Sequence, residues 1–463
     1  MEHKHRFHIF FALRYLRYGL LLCLLPMVQA LISFDLTALF MALWQDLYIL
    51  IFCFVLALAL WWRTGFWVKD DCVFVEHGFL LHHKYVFEKR SLAALEINRP
   101  LYCRFFGAAK VTLYFKNYAV PDKTMLFLPK RAAQHIADLL MPVREDASVF
   151  APTGFERLAL VMLSANVLKT TLFIWMGANR VTEVLGDGWR QQLTTLAQEN
   201  FSRVEHFLAQ FLPAGMALMT ALLFLIISAT FLYSFFHTAG FTVCRNGGVI
   251  INRGGLLTKI ERRIFVQSVC ACDVRVTPVA RLLGRYPLYV SAGSFHGGDI
   301  PLMVYRRRTP QMPETLLANF RAPEGKLCVP AGKSPWQYVT MPLIGLVLSL
   351  ALSGVALGVM PGMLPVLAVP TVLFLGSMAV CIEGIFKEGV CRNKNRTLSL
   401  CYTRFFTRHE VCVLTGDVSY TVFQNPFGIN MGYANFYVRL PCRVRFRVRG
   451  VRQYLAHRMP FLL

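Results

Sequence analysis

Two long apolar runs with a short break between them lie in the last third of the chain: WQYVTMPLIGLVLSLALSGVALGV (336–359), MPG (360–362) and MLPVLAVPTVLFLGSMAVCIEGIF (363–386). Each run reaches the roughly 20 residues that a helix needs to cross a bilayer. The break between them is uncharged. The stretch therefore predicts two membrane-spanning helices joined by a short turn.

Four further apolar runs of this kind precede it, in two pairs: 18–34 with 47–62, and 158–176 with 213–236. The whole chain is 56% hydrophobic and only 16% charged. We therefore predict an integral membrane protein with six spans. The basic, then apolar, N-terminus is expected to be a retained span rather than a secretory signal, because the later spans would anchor the chain in any case.

Each pair of runs is followed by a segment with the alternation typical of β-strands. In the first segment, strand-like alternation occurs in 72–75, 110–115 and 125–128, and turn residues separate these stretches. Residues 131–140 then place Ala132, Ile136, Leu139 and Leu140 on one helical face. The segment therefore predicts a sheet-rich domain that is closed by one helix.

The second segment repeats the first. Residues 255–284 align on 78–107 without a gap, and both stretches begin and end with glycine. Arg104 and Arg281 stand three residues before the second glycine, and 314–320 is expected to form the closing helix. This internal repetition indicates one structural unit used more than once.

The third segment is more divergent. Its Pro426-Phe427-Gly428 is expected to correspond to the apolar-glycine turn of the other two, with Asn425 in place of the arginine. Residues 451–457 are expected to form its closing helix.

This order of elements resembles a family of bacterial membrane proteins in which two transmembrane helices precede a bacterial pleckstrin-homology-like (PH-like) domain, and most of all its YdbT-like branch, which carries three such units. The resemblance is carried by the turns at Gly78 and Gly255 and by four short motifs: His5-Arg6-Phe7-His8, Arg104-Phe105-Phe106-Gly107, Met162-Leu163-Ser164-Ala165-Asn166 and Arg281-Leu282-Leu283-Gly284. It implies a small antiparallel β-sandwich or barrel with a C-terminal helix in each unit. It also implies no enzymatic activity, and a smaller single-unit PH-like membrane protein as a partner.

The expected fold class is thus membrane α plus β, with three pairs of transmembrane helices that each precede a PH-like domain. The helix pairs are expected at 1–64, 148–239 and 331–389, and the PH-like domains at 65–147, 240–330 and 390–463. The second pair is expected to include an external amphipathic helix at 189–211, because apolar residues recur there at helical spacing.

The charge distribution predicts the orientation. The net charge is +23, and Lys and Arg cluster at one end of the predicted spans and in the β-rich segments. By the positive-inside rule, both termini and all three PH-like domains are expected on the cytoplasmic side of a bacterial inner membrane. The irregular spacing of the thirteen cysteines favours free thiols over a disulfide framework.

Basic side chains are the first candidate sites, because a domain tethered at the bilayer lies in the negative potential of anionic lipids. The odd positions from Arg443 to Arg449 are expected on one face of a strand, with Val444, Phe446 and Val448 on the other. The alternative is that these charges serve only topology and solubility. The candidate headgroup ligands are Arg104, Lys110, Arg281, Arg285, Arg443, Arg445, Arg447 and Arg449.

Charges within the apolar runs are the second candidate. Lys169 lies in the middle of a predicted span, and Glu383 lies near the inner end of the sixth. An intramembrane charge often marks a transport path, although Lys169 could equally snorkel or contact a neighbouring helix. We keep a transporter or lipid-handling protein, with a path between the helices, as the alternative function.

Catalytic, metal and nucleic-acid sites are not expected. Three histidine or cysteine groups (His3, His5 and His8; His82 and His83; Cys270 and Cys272) lack the ligand number and spacing of a metal site. Ser294, His296 and Asp299 fit a hairpin turn better than a catalytic triad. The basic residues lack a recognition helix or an aromatic stacking platform.

From the sequence we therefore expect a non-enzymatic scaffold or sensor without a cofactor. Its domains are expected to engage anionic lipid headgroups or partner proteins, and to support resistance to membrane-active peptides.

Overall fold

A computed structural model of the chain describes residues 6–12, 36–69, 72–77, 83–116, 123–142, 148–164, 214–297, 300–306, 316–317, 336–359, 364–393, 397–404 and 406–453. The chain forms two compact units. The first contains Met1–Phe150, Gly240–Val269 and Ala292–Phe295, and the second contains Ala151–Ala239, Cys270–Ser291 and His296–Leu463.

Nine α-helices are described in these residues: α1 (Leu36–Trp62), α2 (Leu101–Phe105), α3 (Lys130–Leu140), α4 (Gly154–Ser164), α5 (Ala214–Thr238), α6 (Pro278–Leu283), α7 (Trp336–Val359), α8 (Leu364–Lys387) and α9 (Pro426–Met431). Two of them, α7 and α8, contain the candidate membrane spans Tyr338–Val359 and Leu367–Lys387. The predicted helix pair at 336–359 and 363–386 is confirmed.

The other predicted spans are described only in part. Helices α1 and α5 overlap the runs 47–62 and 213–236, and α4 covers the start of 158–176. The run 18–34, Lys169 and the predicted amphipathic helix at 189–211 lie outside the described residues. Because the described part of the chain holds two candidate spans, the six-span architecture goes beyond what the structure supports.

The start of α1 corrects one expectation. The predicted runs 18–34 and 47–62 leave residues 35–46 between them as a connection with Asp46 at its end, but the chain is helical from Leu36 onward. Residues 36–46 contain neither Gly nor Pro, so nothing in this stretch ends the helix.

Twenty strands are described: β1 (Gly65–Lys69), β2 (Cys72–His77), β3 (His83–Glu88), β4 (Leu92–Arg99), β5 (Ala108–Phe115), β6 (Lys123–Pro129), β7 (Ser148–Phe150), β8 (Thr242–Asn246), β9 (Val249–Gly254), β10 (Lys259–Phe265), β11 (Val269–Val276), β12 (Tyr286–Ala292), β13 (Phe295–His296), β14 (Met303–Tyr305), β15 (Gly389–Asn393), β16 (Thr397–Arg404), β17 (Thr407–Leu414), β18 (Ser419–Phe423), β19 (Tyr433–Arg439) and β20 (Arg445–Arg452). In each β-rich segment the chain runs through three strands, a 3-10 turn, a fourth strand, a short helix and further strands.

The sheets join consecutive segments. A three-stranded sheet has the order β1-β2-β3, and a seven-stranded sheet has the order β6-β5-β4-β10-β9-β8-β7. A second seven-stranded sheet runs β13-β12-β11-β17-β16-β15, with β14 on β12, and the last sheet is β18-β19-β20. The strands of the second segment are therefore divided between two sheets, each shared with a neighbouring segment. The expected boundaries of 240–330 stay a prediction.

Buried apolar side chains fill the space between the sheets of each unit. In the first unit this core includes Leu95, Val111 and Leu126, together with Ile136 and Leu140 from α3. In the second unit it includes Leu398 and Val411 with Phe436, Val438 and Phe446. Both cores follow from strand alternation, which sends every second side chain to the same face.

The closing helices are only partly as predicted. Helix α3 confirms the first of them, and it buries Ala133, Ile136, Ala137 and Leu140, the spacing of one helical stripe. Leu139, which was expected on this face, is exposed. In the third segment β20 continues to Arg452, so the helix predicted from 451 cannot begin there. Of the second segment's helix only Leu316 and Leu317 are described, and both are buried.

The glycine of the third segment that corresponds to Gly284 also differs from the predicted Gly428. Thr277 caps α6 by accepting from the Ala280 N–H, and Asn425 caps α9 by accepting from the Gly428 N–H. The helices then end at Gly284 and Gly432, both with left-handed φ. The counterpart of Gly284 is therefore Gly432 rather than Gly428.

Candidate lipid-headgroup site

The outer face of the sheet β18-β19-β20 is the candidate site. Along β20 the side chains of Arg445 and Arg447 are exposed, whereas Phe446 and Val448 are buried in the core of the second unit. The predicted alternation is confirmed for these four residues. Arg443, however, precedes the strand in a turn and has a φ of 63°, so it does not continue the row.

Three arginines and a tyrosine form this face. Arg439 lies opposite Arg445, and Tyr437 lies opposite Arg447. The Cζ atoms of Arg445 and Arg447 are 3.9 and 5.7 Å from the ring centroid of Tyr437. Since β18, β19 and β20 contain no Asp or Glu, no carboxylate within these strands neutralises the arginines. We call Arg439, Arg445, Arg447 and Tyr437 the basic face.

The chemistry of this face suits a phosphate group. A guanidinium presents planar N–H donors that match phosphate oxygens, and stacking on an aromatic ring holds it in place without using those donors. Adjacent cations also attract an anion more strongly than either does alone. The basic face can therefore bind a phosphodiester or another small anion.

Short connections join this region to the candidate spans. Helix α8 ends at Lys387 and β15 begins at Gly389. The hydroxyl of Tyr338, the first residue of the other candidate span, donates to the Arg449 carbonyl oxygen at 2.9 Å. A strand rises about 3.3 Å per residue, so Arg447 and Arg445 lie about 7 and 13 Å along β20 from Arg449.

Arg449 itself is engaged in the interior. Its Nη2 lies 2.8 Å from Glu388 Oε1, and this carboxylate also accepts from the Thr403 N–H at 2.7 Å and from the Thr403 hydroxyl. The Glu388 side chain is fully buried. Arg449, which the sequence placed among the headgroup ligands, instead compensates a buried charge.

Two more predicted ligands in the second unit have protein partners. Arg281 Nη2 lies 2.5 Å from Glu383 Oε2. Arg285 is buried, with its Nε 3.9 Å from Glu156 Oε1 and its Cζ 5.4 Å from the Phe155 ring centroid.

The two predicted ligands of the first unit are not part of the basic face. Arg104 is exposed on α2 and donates to the Leu256 carbonyl oxygen at 2.9 Å. Lys110 lies on β5 opposite Asn98.

Glu383 is the centre of a second charge cluster. Besides Arg281, it contacts Lys387 at 2.6 Å and Arg408 at 2.9 Å, and Arg408 also pairs with Glu410 at 2.6 Å. Three cations thus surround this carboxylate at the end of α8. The arrangement ties α8 to α6 and β17.

A third polar group lies where β11 pairs with β17. Asp273 Oδ2 is 3.0 Å from His409 Nδ1 and 3.2 Å from Arg275 Nε. Burial alone would raise the pKa of Asp273, but these two partners hold the pKa below its usual range. This group could not be predicted from the sequence, because His409 lies 136 residues after Asp273.

Short helices expose apolar side chains, although the sequence did not predict their exposure. The most exposed are Phe105 and Phe106 at the end of α2, Leu282 on α6, and Ile429 and Met431 on α9. Leu282 is 85% exposed, although its neighbour Arg281 is paired with α8. An exposed large apolar side chain at such a place fits contact with lipid or protein.

The described residues contain no group of three or more His, Cys, Asp or Glu that could hold a metal ion. Cys270 and Cys272 are buried on β11, and burial raises the pKa of Cys272. Ten of the described cysteines are free thiols. Cys391 is the exception among the described cysteines, because it is disulfide-bonded. The ten free thiols agree with the expectation that the cysteines do not form a disulfide framework.

Ser294 lies in the turn between β12 and β13, as the sequence predicted, and His296 is the last residue of β13. The Ser294 hydroxyl oxygen accepts from the Phe115 N–H at 3.0 Å. This hydroxyl therefore has a structural role, and Asp299 lies outside the described residues.

Comparison with known proteins gives one similarity. Residues 16–143 match the family model of the bacterial PH domain. Searches of curated proteins and of solved structures gave no match. The matched region includes α1, β1 to β6 and α3, so its antiparallel sheets are consistent with a PH-like β-sandwich, and this N-terminal part of the chain is similar to bacterial PH domains.

Proposed function

We propose that this chain is a non-enzymatic protein of the bacterial inner membrane whose PH-like domains bind anionic lipid headgroups from the cytoplasmic side. The observation that carries the proposal is the basic face: three arginines around one tyrosine, without an acidic residue in their sheet, in a domain that follows a candidate span after one residue. Such a domain cannot move far from the bilayer surface.

The energetics favour this role. Each well-placed Lys or Arg near an anionic membrane contributes about 1 kcal/mol, and the field decays over about 10 Å at 0.1 M salt. Arg447 and Arg445 lie within about one to two of these 10 Å decay lengths from the end of a candidate span. The net charge of +23 has the same sign, so other basic residues add to the attraction.

The exposed apolar side chains support the same placement. Arg281 is paired with Glu383 at the end of α8, so Leu282 beside it lies near the end of a candidate span. An apolar side chain at the membrane interface gains free energy by leaving water. We therefore assign to α6 a contact with the acyl-chain boundary.

The larger architecture is part of the proposal. We propose three PH-like units of the YdbT-like kind and six spans, supported by the element order that recurs in each segment. Reporter fusions after Arg253 and after Leu463 are then expected to read cytoplasmic, because basic residues lie next to the predicted spans. A periplasmic signal at either position would contradict the orientation.

A lipid-labelling experiment tests headgroup binding. The full chain, reconstituted in vesicles with photoactivatable phosphatidylglycerol, is expected to be labelled on β20. Replacing both arginines (Arg445→Gln, Arg447→Gln) removes about 2 kcal/mol, so labelling at low salt should need about 30-fold more anionic lipid. The readout is the labelled fraction of β20 peptides by mass spectrometry.

The matched control keeps the charge. Arg445→Lys with Arg447→Lys should retain most of the labelling, because the negative surface potential of anionic lipids attracts either cation. Thr421→Gln changes an exposed residue of the same sheet without changing charge and should have no effect. Equal labelling with a neutral phosphatidylcholine probe would contradict the proposal.

Other roles stay open for experiment. A scaffold for partner proteins and a role in resistance to membrane-active peptides are both compatible with a lipid-bound domain. A transport path is the alternative, but its main residue, Lys169, lies outside the described residues. Glu383 is compensated by three cations, which fits a structural joint better than an ion path.

A further inference from the structure

Strand edges are the basis of the inference. We call β3, β10 and β17 the third strands of their segments, and β4, β11 and β18 the fourth strands. Within the first unit the fourth strand β4 pairs with the next segment's third strand β10, antiparallel. Within the second unit β11 pairs with β17 in the same way.

The two joints have the same register. Ile264, which directly precedes the 3-10 N-cap Phe265, lies opposite Ala94. Val413, which directly precedes the 3-10 N-cap Leu414, lies opposite Ala271. Both alanines stand six residues before the N-cap of the short helix that follows, Pro100 and Thr277. The same pairing of a fourth strand with the next segment's third strand therefore occurs twice in the chain.

One third strand, β3, and one fourth strand, β18, do not take part in such a joint in the described part of the chain. Among the strands that the structure describes, the third strand β3 is the last of its sheet, and the fourth strand β18 is the first of its sheet. An open edge presents backbone N–H and C=O groups that can pair with another strand. Both strands are rich in aromatic and β-branched residues, which favour sheets.

We propose that β18 of one molecule pairs with β3 of a second copy of this chain, in the register of the two internal joints. Phe87 precedes the 3-10 N-cap Glu88, and Ser419 stands six residues before the cap Asn425, as Ala271 stands before Thr277. The register thus places Phe87 opposite Ser419.

The same register places Val86 opposite Tyr420 and Lys84 opposite Val422. Because the two edges differ, the contact is head-to-tail and builds a ring or an open chain. This inference does not depend on lipid binding.

Two variants that each carry one added cysteine test the pairing. Full-length chains with Lys84→Cys and with Val422→Cys, carrying different tags, are co-expressed, and isolated membranes are oxidised with copper–phenanthroline. We expect a disulfide-linked dimer that carries both tags, since directly opposed residues have Cβ atoms about 5 Å apart. Mass spectrometry should identify the peptide joined through positions 84 and 422, which separates it from links through native cysteines.

The matched control uses the same edge. In the proposed register, positions 84 and 419 are offset by three residues, or about 10 Å. The pair Lys84→Cys and Ser419→Cys should therefore give at least tenfold less of the dimer. Adding Val86→Lys, which places a charge opposite Tyr420, should abolish the Lys84–Val422 link, whereas the exposed helix variant Leu139→Lys should leave it. The helical signal in circular dichroism checks that each variant is folded.

Three results would overturn the inference. They are equal linking of both cysteine pairs, no mixed-tag dimer from folded variants, and a link from either edge to a different, smaller protein. The last would show that the edges are filled by a partner rather than by a second copy.

Discussion

Replacing Arg449 with methionine is expected to lower the free energy of unfolding by about 3–5 kcal/mol, the usual cost of removing one partner from a buried ion pair. Glu388 would keep two hydrogen bonds from Thr403 but lose the guanidinium 2.8 Å away. The carboxylate has no exposed surface through which water could compensate its charge. Thermal denaturation of the full chain in detergent, followed by tryptophan fluorescence, measures the change.

Two further variants separate the ion pair from general effects. Arg445→Met removes an exposed arginine from the same strand and should cost less than about 1 kcal/mol. Adding Glu388→Gln to Arg449→Met removes the uncompensated charge and should recover stability, which a double-mutant cycle quantifies. If Arg449→Met and Arg445→Met were equally stable, Arg449 would be a surface residue and the assignment of its role would be wrong.

The helix pair α7 and α8 could be predicted from the sequence because two apolar runs of span length are separated by the short break 360–362. The extent of α1 could not. Asp46 was interpreted as part of a polar connection, yet a single charge does not end a helix when Gly and Pro are missing. Charge predicts position relative to a membrane better than it predicts secondary structure.

The third segment shows a signal that was present and missed. Gly284 follows Thr277-Pro278, and Gly432 follows Asn425-Pro426 at the same distance. A capping residue with proline at the first helical position marks a helix start, and a glycine one helix later marks its end. Comparing these caps, rather than the nearest glycine, gives the correct alignment and puts Ile429 where the first two segments have arginine.

The sharing of sheets between segments could not be predicted from alternation. A period of two identifies a strand and its two faces but not the strand beside it. The joints of β4 with β10 and of β11 with β17 could therefore be identified only from the structure. The same limit applies to Arg449. Its alternation with Val448 predicted an exposed arginine, whereas its partner Glu388 lies 61 residues away in sequence.

Gly293→Ala is expected to destabilise the first unit by about 2–5 kcal/mol, through overpacking and backbone strain together. Gly293 has a φ of 52°, and an added Cβ would lie 2.4 Å from the Phe115 carbonyl oxygen and 2.7 Å from Ala93 Cβ. The same oxygen accepts from the Ser294 N–H at 2.8 Å, so the turn cannot move away without losing this bond. The midpoint of thermal denaturation in detergent measures the loss.

Gly107→Ala is the matched control, because it separates strain from collision. Gly107 lies in the same unit with a φ of 66°, but an added Cβ would meet nothing within 4 Å. Its substitution should therefore cost only the left-handed backbone term of about 1–2 kcal/mol. Equal losses for the two variants would mean that the β12–β13 turn relaxes freely and is not held against the end of β5.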